Sequence, residues 1–250
     1  MKNTERFSNR VDDYVKYRPQ YPVAIIPYLQ EVAGLTPSAA VADIGSGTGI
    51  SAQPFLDNGN TVYAVEPNRE MREMGERLLQ RYPYFKSITG TAERTTLPDA
   101  SVDLLIAGQS FHWFEREEAR QEFRRIMRPG TSAVLMWNFR ETDTPFDKAY
   151  EKLRHDFGID YKDMKHRNIQ PQEIARFFLP DTFHEKYFHH VQRLDYAAIK
   201  GLLLSSSYMP DKTHPRYNAM IQELEDVFEK HQENRMVALR YETKVFTGKL

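Results

Sequence analysis

The chain has 250 residues, 40% of them hydrophobic, with 34 basic against 35 acidic side chains and a net charge of −1. That is enough apolar material for one sizeable core with a small appended cap, and the charge balance provides no bulk field to draw nucleic acid or an anionic membrane. With no cysteine, disulfides, thiolate metal sites and attack on a base through a cysteine nucleophile are all excluded.

Met1 to Asn9 are polar and lack the apolar stretch of a signal peptide, and no later apolar run is long enough to span a bilayer, so the expectation is a cytoplasmic protein. Phe7, Val11, Tyr14 and Arg18 recur at helical spacing until Pro19 stops the pattern. A second helix is expected from Pro22 to Gly34, kinked or split where Pro27 removes a backbone bond.

Ala39 to Ile44 is an apolar strand carrying Asp43, and it runs into glycines on alternate positions, Gly45, Gly47 and Gly49. Such a turn lets backbone approach a ligand closely, because no Cβ intrudes and positive φ costs little. The dinucleotide fingerprint G-x-G-x-x-G needs its third glycine at position 50, where this chain has Ile50. Asp43 also repels a phosphate and welcomes an ammonium group. After a helix over Thr48 to Leu56, a second strand from Thr61 to Val65 ends in Glu66, 23 positions beyond Asp43. An acid at that strand tip can chelate the two hydroxyls of a ribose. A ribose with an amino-acid-like head and no phosphate describes S-adenosylmethionine.

Further strands are expected at Phe85 to Thr89, Val102 to Ala107 and Ser132 to Trp137, with helices at Asn68 to Gln80 and Glu117 to Met127 between them. Alternation of this kind, with apolar strands, argues for a parallel sheet covered on both faces, its ligand lying across the strand carboxyl ends. The rhythm changes after Asn138. Helix-like stretches at Phe146 to Phe157 and Pro171 to Phe178 precede a strand from Phe183 to Leu194, then helices at Tyr196 to Leu204 and Pro215 to His231. Val237, Leu239, Tyr241, Thr243 and Val245 fall on one face of a closing strand.

The segments Val41 to Gly49, Val65-Glu66-Pro67-Asn68, Gly90-Thr91-Ala92-Glu93, Gln109 to Phe114 and Arg128-Pro129-Gly130 occur in order over about 40% of the chain. As an ordered set they resemble the class I S-adenosylmethionine-dependent methyltransferases, in particular their small-molecule, trans-aconitate methyltransferase-like group. The resemblance implies a Rossmann-like α/β fold: a seven-stranded, mostly parallel doubly wound sheet with an antiparallel closing strand and a helical cap. It divides the chain into a helical arm or lid at 1–34, a cofactor-binding core at 35–138, a cap at 139–180, and the rest of the sheet with further helices at 181–250. It implies that S-adenosylmethionine contacts Asp43, Gly45, Ser46, Gly47, Glu66, Pro67, Ala92, Glu93 and Gln109, with Tyr14 and Arg18 closing from the arm. The family usually places an acid where this chain has Thr91, so an adenine contact made by a side chain falls to Glu93.

A sulfonium already activates its methyl group, so positioning in a water-poor aromatic lining does most of the work. Phe111, Trp113 and Phe114 are the expected acceptor-lining rings, set against the alternative that they pack a core. His112 is the expected catalytic residue, either as a general base or as a hydrogen-bonding group only. His155, His166, His184, His189 and His190 show no ligand spacing with a partnered acid, and no metal is expected. Ser205 to Tyr208 is either a polar patch of the acceptor pocket or a helix end rich in cap formers. The expected partner is a small-molecule methyl acceptor, without nucleic acid or membrane. The competing readings are a catalytically silent S-adenosylmethionine-binding protein and a nucleotide-dependent oxidoreductase of similar fold.

Overall fold

A computed structural model of the protein describes residues 17–159, 170–206 and 208–250. Its contacts fall into two compact units. The first contains residues 20–138, 170–188 and 243–250, and the second contains 17–19, 139–159, 189–206 and 208–242.

Helix α1 spans Ile25–Ala33 and is followed by β1 (Ala40–Ile44), α2 (Gln53–Asp57), β2 (Thr61–Val65), α3 (Arg69–Leu79), β3 (Phe85–Ile88) and β4 (Val102–Gly108). Next come a 3-10 turn (Phe111–Trp113), α4 (Arg116–Ile126), β5 (Met127–Arg140), α5 (Pro145–Phe157), α6 (Pro171–Phe178), β6 (Phe183–Leu194), α7 (Tyr196–Leu204), α8 (Tyr217–His231) and β7 (Val237–Gly248). The seven strands lie in the order β3-β2-β1-β4-β5-β7-β6. The pairs β1–β2, β1–β4, β2–β3 and β4–β5 are parallel, as the strand–helix alternation predicts.

Successive residues of each central strand enter different cores, which is why these strands are apolar throughout. On one face Ile44, Leu105, Ala107 and Leu135 pack with Ala119, Phe123 and Ile126 of α4 and with Phe177 and Phe178 of α6. On the other, Val41, Leu104, Ile106 and Val134 pack with Ile25 and Leu29 of α1 and Phe55 of α2. A third core, within the second unit, gathers Tyr150 and Leu153 of α5, Leu203 of α7, Leu224 and Phe228 of α8 and Leu239 of β7. Contacts therefore divide the chain differently from the four sequence segments: α6, inside the 139–180 stretch, contributes its rings to the core of the first unit.

Some boundaries differ from expectation for local reasons. α1 begins at Ile25, so Pro27 falls in its first turn, where the backbone N–H has no intrahelical partner anyway, and no split results. Residues 48–52 are not helical, because Gly49 at φ +87° cannot enter a right-handed helix, and α2 starts only at Gln53. β5 begins five residues early at Met127. The Pro129-Gly130 pair is absorbed in a register shift against β4, where Val102 faces Met127 but Leu104 faces Ser132.

Candidate functional site

The chain runs outward from β1 through β2 to β3 and then crosses to β4 on the other side of β1, so the carboxyl end of β1 is the point where strand order reverses. Ligands of open α/β sheets bind at that crevice. Asp43 stands there, opposite Ala64 of β2 and Ile106 of β4. It is fully buried, and its Oδ2 accepts from Ser51 Oγ at 2.7 Å, while Oδ1 is buried without a partner. Burial pushes its carboxyl up to about 7, against the pull of the Ser51 bond and with the nearby Glu66 charge adding to the rise.

The glycine turn is tied to β2 by the amides of Gly45 and Ser46, which donate to the Val65 carbonyl at 2.9 and 3.1 Å. Gly45 is in the left-handed region at φ +68°, and a Cβ there would lie 2.6 Å from Ser110 Cβ, so both the turn and the approach of the β4 end require glycine. Ser110 closes this approach by donating from Oγ to the Ile44 carbonyl at 2.7 Å. Ser46 and Thr48 are buried in the turn, and Thr48 Oγ1 has no partner.

Glu66 is buried at the tip of β2, with its carboxyl raised by burial despite the amide bonds that it accepts and the neighbouring Arg72. Its Oε2 accepts from Gly47 N at 2.9 Å and its Oε1 from Asn68 N at 2.7 Å. Asn68 caps α3 by accepting from Met71 N at 2.9 Å. Pro67 beside it is exposed, and Ala92 is buried. Glu93 is half-buried and accepts the Glu115 amide through Oε1 at 2.9 Å, which gives it a structural duty at the start of α4. Gln109 is an exposed non-glycine residue at φ +57°, and its Nε2 donates to the Asn138 carbonyl at 3.1 Å. A left-handed conformation at a strand end is a strain typical of functional turns.

The aromatic run divides. Phe111 is a core residue: it is fully buried and meets Phe177 at 4.7 Å, Phe114 at 5.9 Å and Trp137 at 6.2 Å, all edge to face. Its ring faces the core that α4 and α6 complete and does not line an open acceptor site, contrary to the expectation. His112, Trp113 and Phe114 are half-buried, with the His112 and Trp113 rings 4.8 Å apart. Phe114 reaches the glycine turn, its Cε1 lying 3.5 Å from where a Cβ on Gly45 would be.

Asp43, the glycine turn, Glu66, Ala92, Glu93 and Gln109 to Phe114 thus all belong to the first unit. Arg18 belongs to the second, where Nη2 donates to the Ser205 carbonyl at 3.4 Å, and Tyr14 lies outside the described residues. Ser205 donates from Oγ to the Leu202 carbonyl at 2.7 Å, a helix-end bond. Ser207 and His166 are also outside the described residues. Among the described residues no group of three or more His, Asp or Glu side chains is placed to hold a metal, and no helix is long and apolar enough to cross a membrane. Sequence reasoning missed Ser51, Ser110 and Thr48, whose single hydroxyls carry no pattern before the strand ends are brought together.

The buried, unpartnered Asp43 oxygen and the tight glycine turn fit a ligand with an ammonium head and a sugar diol. A bound cation would draw the proton from Asp43.

A family model described as "Methyltransferase domain" matches residues 42–135. An uncharacterized methyltransferase of Mycobacterium tuberculosis is 30% identical over 205 residues, covering 81% of this chain and 76% of its own. One from Schizosaccharomyces pombe is 32% identical over 148 residues, and the chain spans only 58% of that protein's length. A solved structure from Anaeromyxobacter dehalogenans, described as a candidate type II methyltransferase, superposes with a TM-score of 0.68 at 25% identity over 93% of this chain and 98% of the other.

Proposed function

The chain belongs to the class I S-adenosylmethionine-dependent methyltransferases, and we propose that within them it methylates a small organic acceptor in the cytoplasm. The observation that supports the cofactor site most directly is the buried Asp43 carboxylate, with one oxygen fixed by Ser51 and the other unpartnered beside the glycine turn. When bound, S-adenosylmethionine supplies a methyl group already activated by its sulfonium.

The chain's own residues then bind and orient. Asp43 would take the ammonium, the amides and hydroxyl of Gly45 to Gly47 the amino-acid head, and Glu66 the ribose diol, each of its oxygens keeping a lone pair beyond the amide already accepted. Phe114 and Trp113 screen the reacting face from water and favour a spreading positive charge. His112 takes the proton of a hydroxyl or amine acceptor at its imidazole, and a carboxylate acceptor needs no base. The near-neutral net charge of −1 favours a small molecule over nucleic acid.

Calorimetry with S-adenosylmethionine, its demethylated product and a nicotinamide dinucleotide tests the cofactor. Incubation of the protein with labelled S-adenosylmethionine and a metabolite extract, read by mass spectrometry, tests the acceptor. Label appearing only in protein or nucleic acid would remove the small-molecule reading.

A further inference from the structure

We propose that the second unit holds a binding site for an organic carboxylate, built around Arg140. Arg140 comes from the end of β5, Tyr150, Glu151 and Arg154 from α5, and Tyr241 from β7. On α5, spacings of three and four residues bring Glu151 and Tyr150 beside Arg154. The Arg140 guanidinium lies over the Tyr150 ring, 4.9 Å from its centroid, and donates from Nη2 to Glu151. The same Glu151 oxygen accepts from Arg154 Nη1 at 2.7 Å, so one carboxylate is shared by two guanidiniums whose side chains are only 12% and 21% exposed. Arg154 also donates to the Tyr208 hydroxyl.

The set is rich in donors. Arg140 Nε is buried with no partner. Burial, reinforced by the neighbouring Arg154 charge, pulls Arg140 down to about 10, which leaves it a cation at neutral pH. Burial raises the phenols of Tyr150 and Tyr241, so both keep their O–H. The guanidiniums of Arg140, Arg18 and Arg154 act on Tyr241 together with the Asp147 carboxylate, whose Oδ2 accepts from Thr144 and whose Oδ1 is buried without a partner, while Glu151 is already shared by two of the three. A buried guanidinium with an idle N–H gains most from an acceptor that is itself charged. The neighbouring rings of Tyr150 and Tyr241, the latter stacked 5.3 Å from that of His190, suit an organic body more than a bare inorganic ion. The site stands whichever acceptor the methyltransferase serves.

Calorimetry on the whole protein with acetate, benzoate and succinate, and with inorganic phosphate as comparator, is the test. At least one carboxylate should bind, and Arg140→Lys and Tyr241→Phe should each weaken it by about tenfold or more. Phosphate should bind more weakly. Tyr241→Phe removes one hydroxyl and keeps the ring, so its melting temperature without ligand should stay near wild type. The proposal is overturned if none of the three carboxylates binds, if binding persists undiminished in both variants, or if phosphate binds more tightly.

Discussion

Glu66 accepts the Gly47 amide through Oε2 at 2.9 Å, which ties the tip of β2 to the middle of the glycine turn. The same carboxylate holds the Asn68 amide at 2.7 Å just ahead of α3, so it fixes the glycine turn and the start of α3 at once. Glu66→Ala should therefore weaken S-adenosylmethionine binding and also lower stability by about 1–2 kcal/mol, since it leaves two part-buried amides without their acceptor. Calorimetry and thermal melting on one preparation check both. An unchanged dissociation constant with an unchanged melting temperature would exclude the arrangement.

Asp43 should make cofactor affinity depend on pH. Its carboxyl, raised to about 7 chiefly by burial, lies above the unfolded value of about 3.9. Between those values the native state holds a proton that the unfolded chain has released, so this group's contribution to stability falls as pH rises through that window and levels off above it. An ammonium ligand prefers the ionised form, so affinity should rise toward pH 7 and flatten beyond, by up to about tenfold per unit on the acid side. Titrations from about pH 5.5 to 8.5 with wild type and Asp43→Asn should show the slope in the first and lose it in the second. Equal slopes in both would assign the titration to another group.

The cradle was legible because its signals are local: an apolar run, an acid, alternate glycines, and a second acid one strand later. The aromatic run was only half legible. Four consecutive rings cannot all face one core, but nothing local says that Phe111 turns inward onto Phe177, a residue 66 positions away on α6. For the same reason α6 read as part of a cap, since its apolar face says that it packs but not against which element. The Arg140, Glu151 and Arg154 set was invisible, because its partner Tyr241 arrives from β7 and buried arginines look like surface charge in a sequence.

Gly45→Ala should damage the site more than a single methyl suggests. The residue adopts φ +68°, which strains any side chain, and the new Cβ would lie 2.6 Å from that of Ser110. Strain in the left-handed region costs about 1–2 kcal/mol before the clash is added, and relief would part the β1 and β4 ends joined by the bond from Ser110 to Ile44. Loss of both cofactor binding and thermal stability is expected. Normal binding in Gly45→Ala would mean that the turn relaxes without consequence.

His112 follows Ser110 in a short turn, half-buried, with its ring 4.8 Å from that of Trp113. A base and a mere pocket wall differ in kinetics. Removing a base slows the chemical step and spares binding, whereas removing a wall raises KM for the acceptor and leaves kcat nearly intact. With a hydroxyl or amine acceptor, His112→Ala should lower kcat by about 10²-fold while the dissociation constant for S-adenosylmethionine stays within about twofold of wild type. His112→Asn, which keeps a hydrogen-bonding side chain but cannot take a proton near neutral pH, should be equally slow. Recovery of turnover in the asparagine variant would reduce His112 to a positioning group, and wild-type kinetics in both variants would remove it from the site.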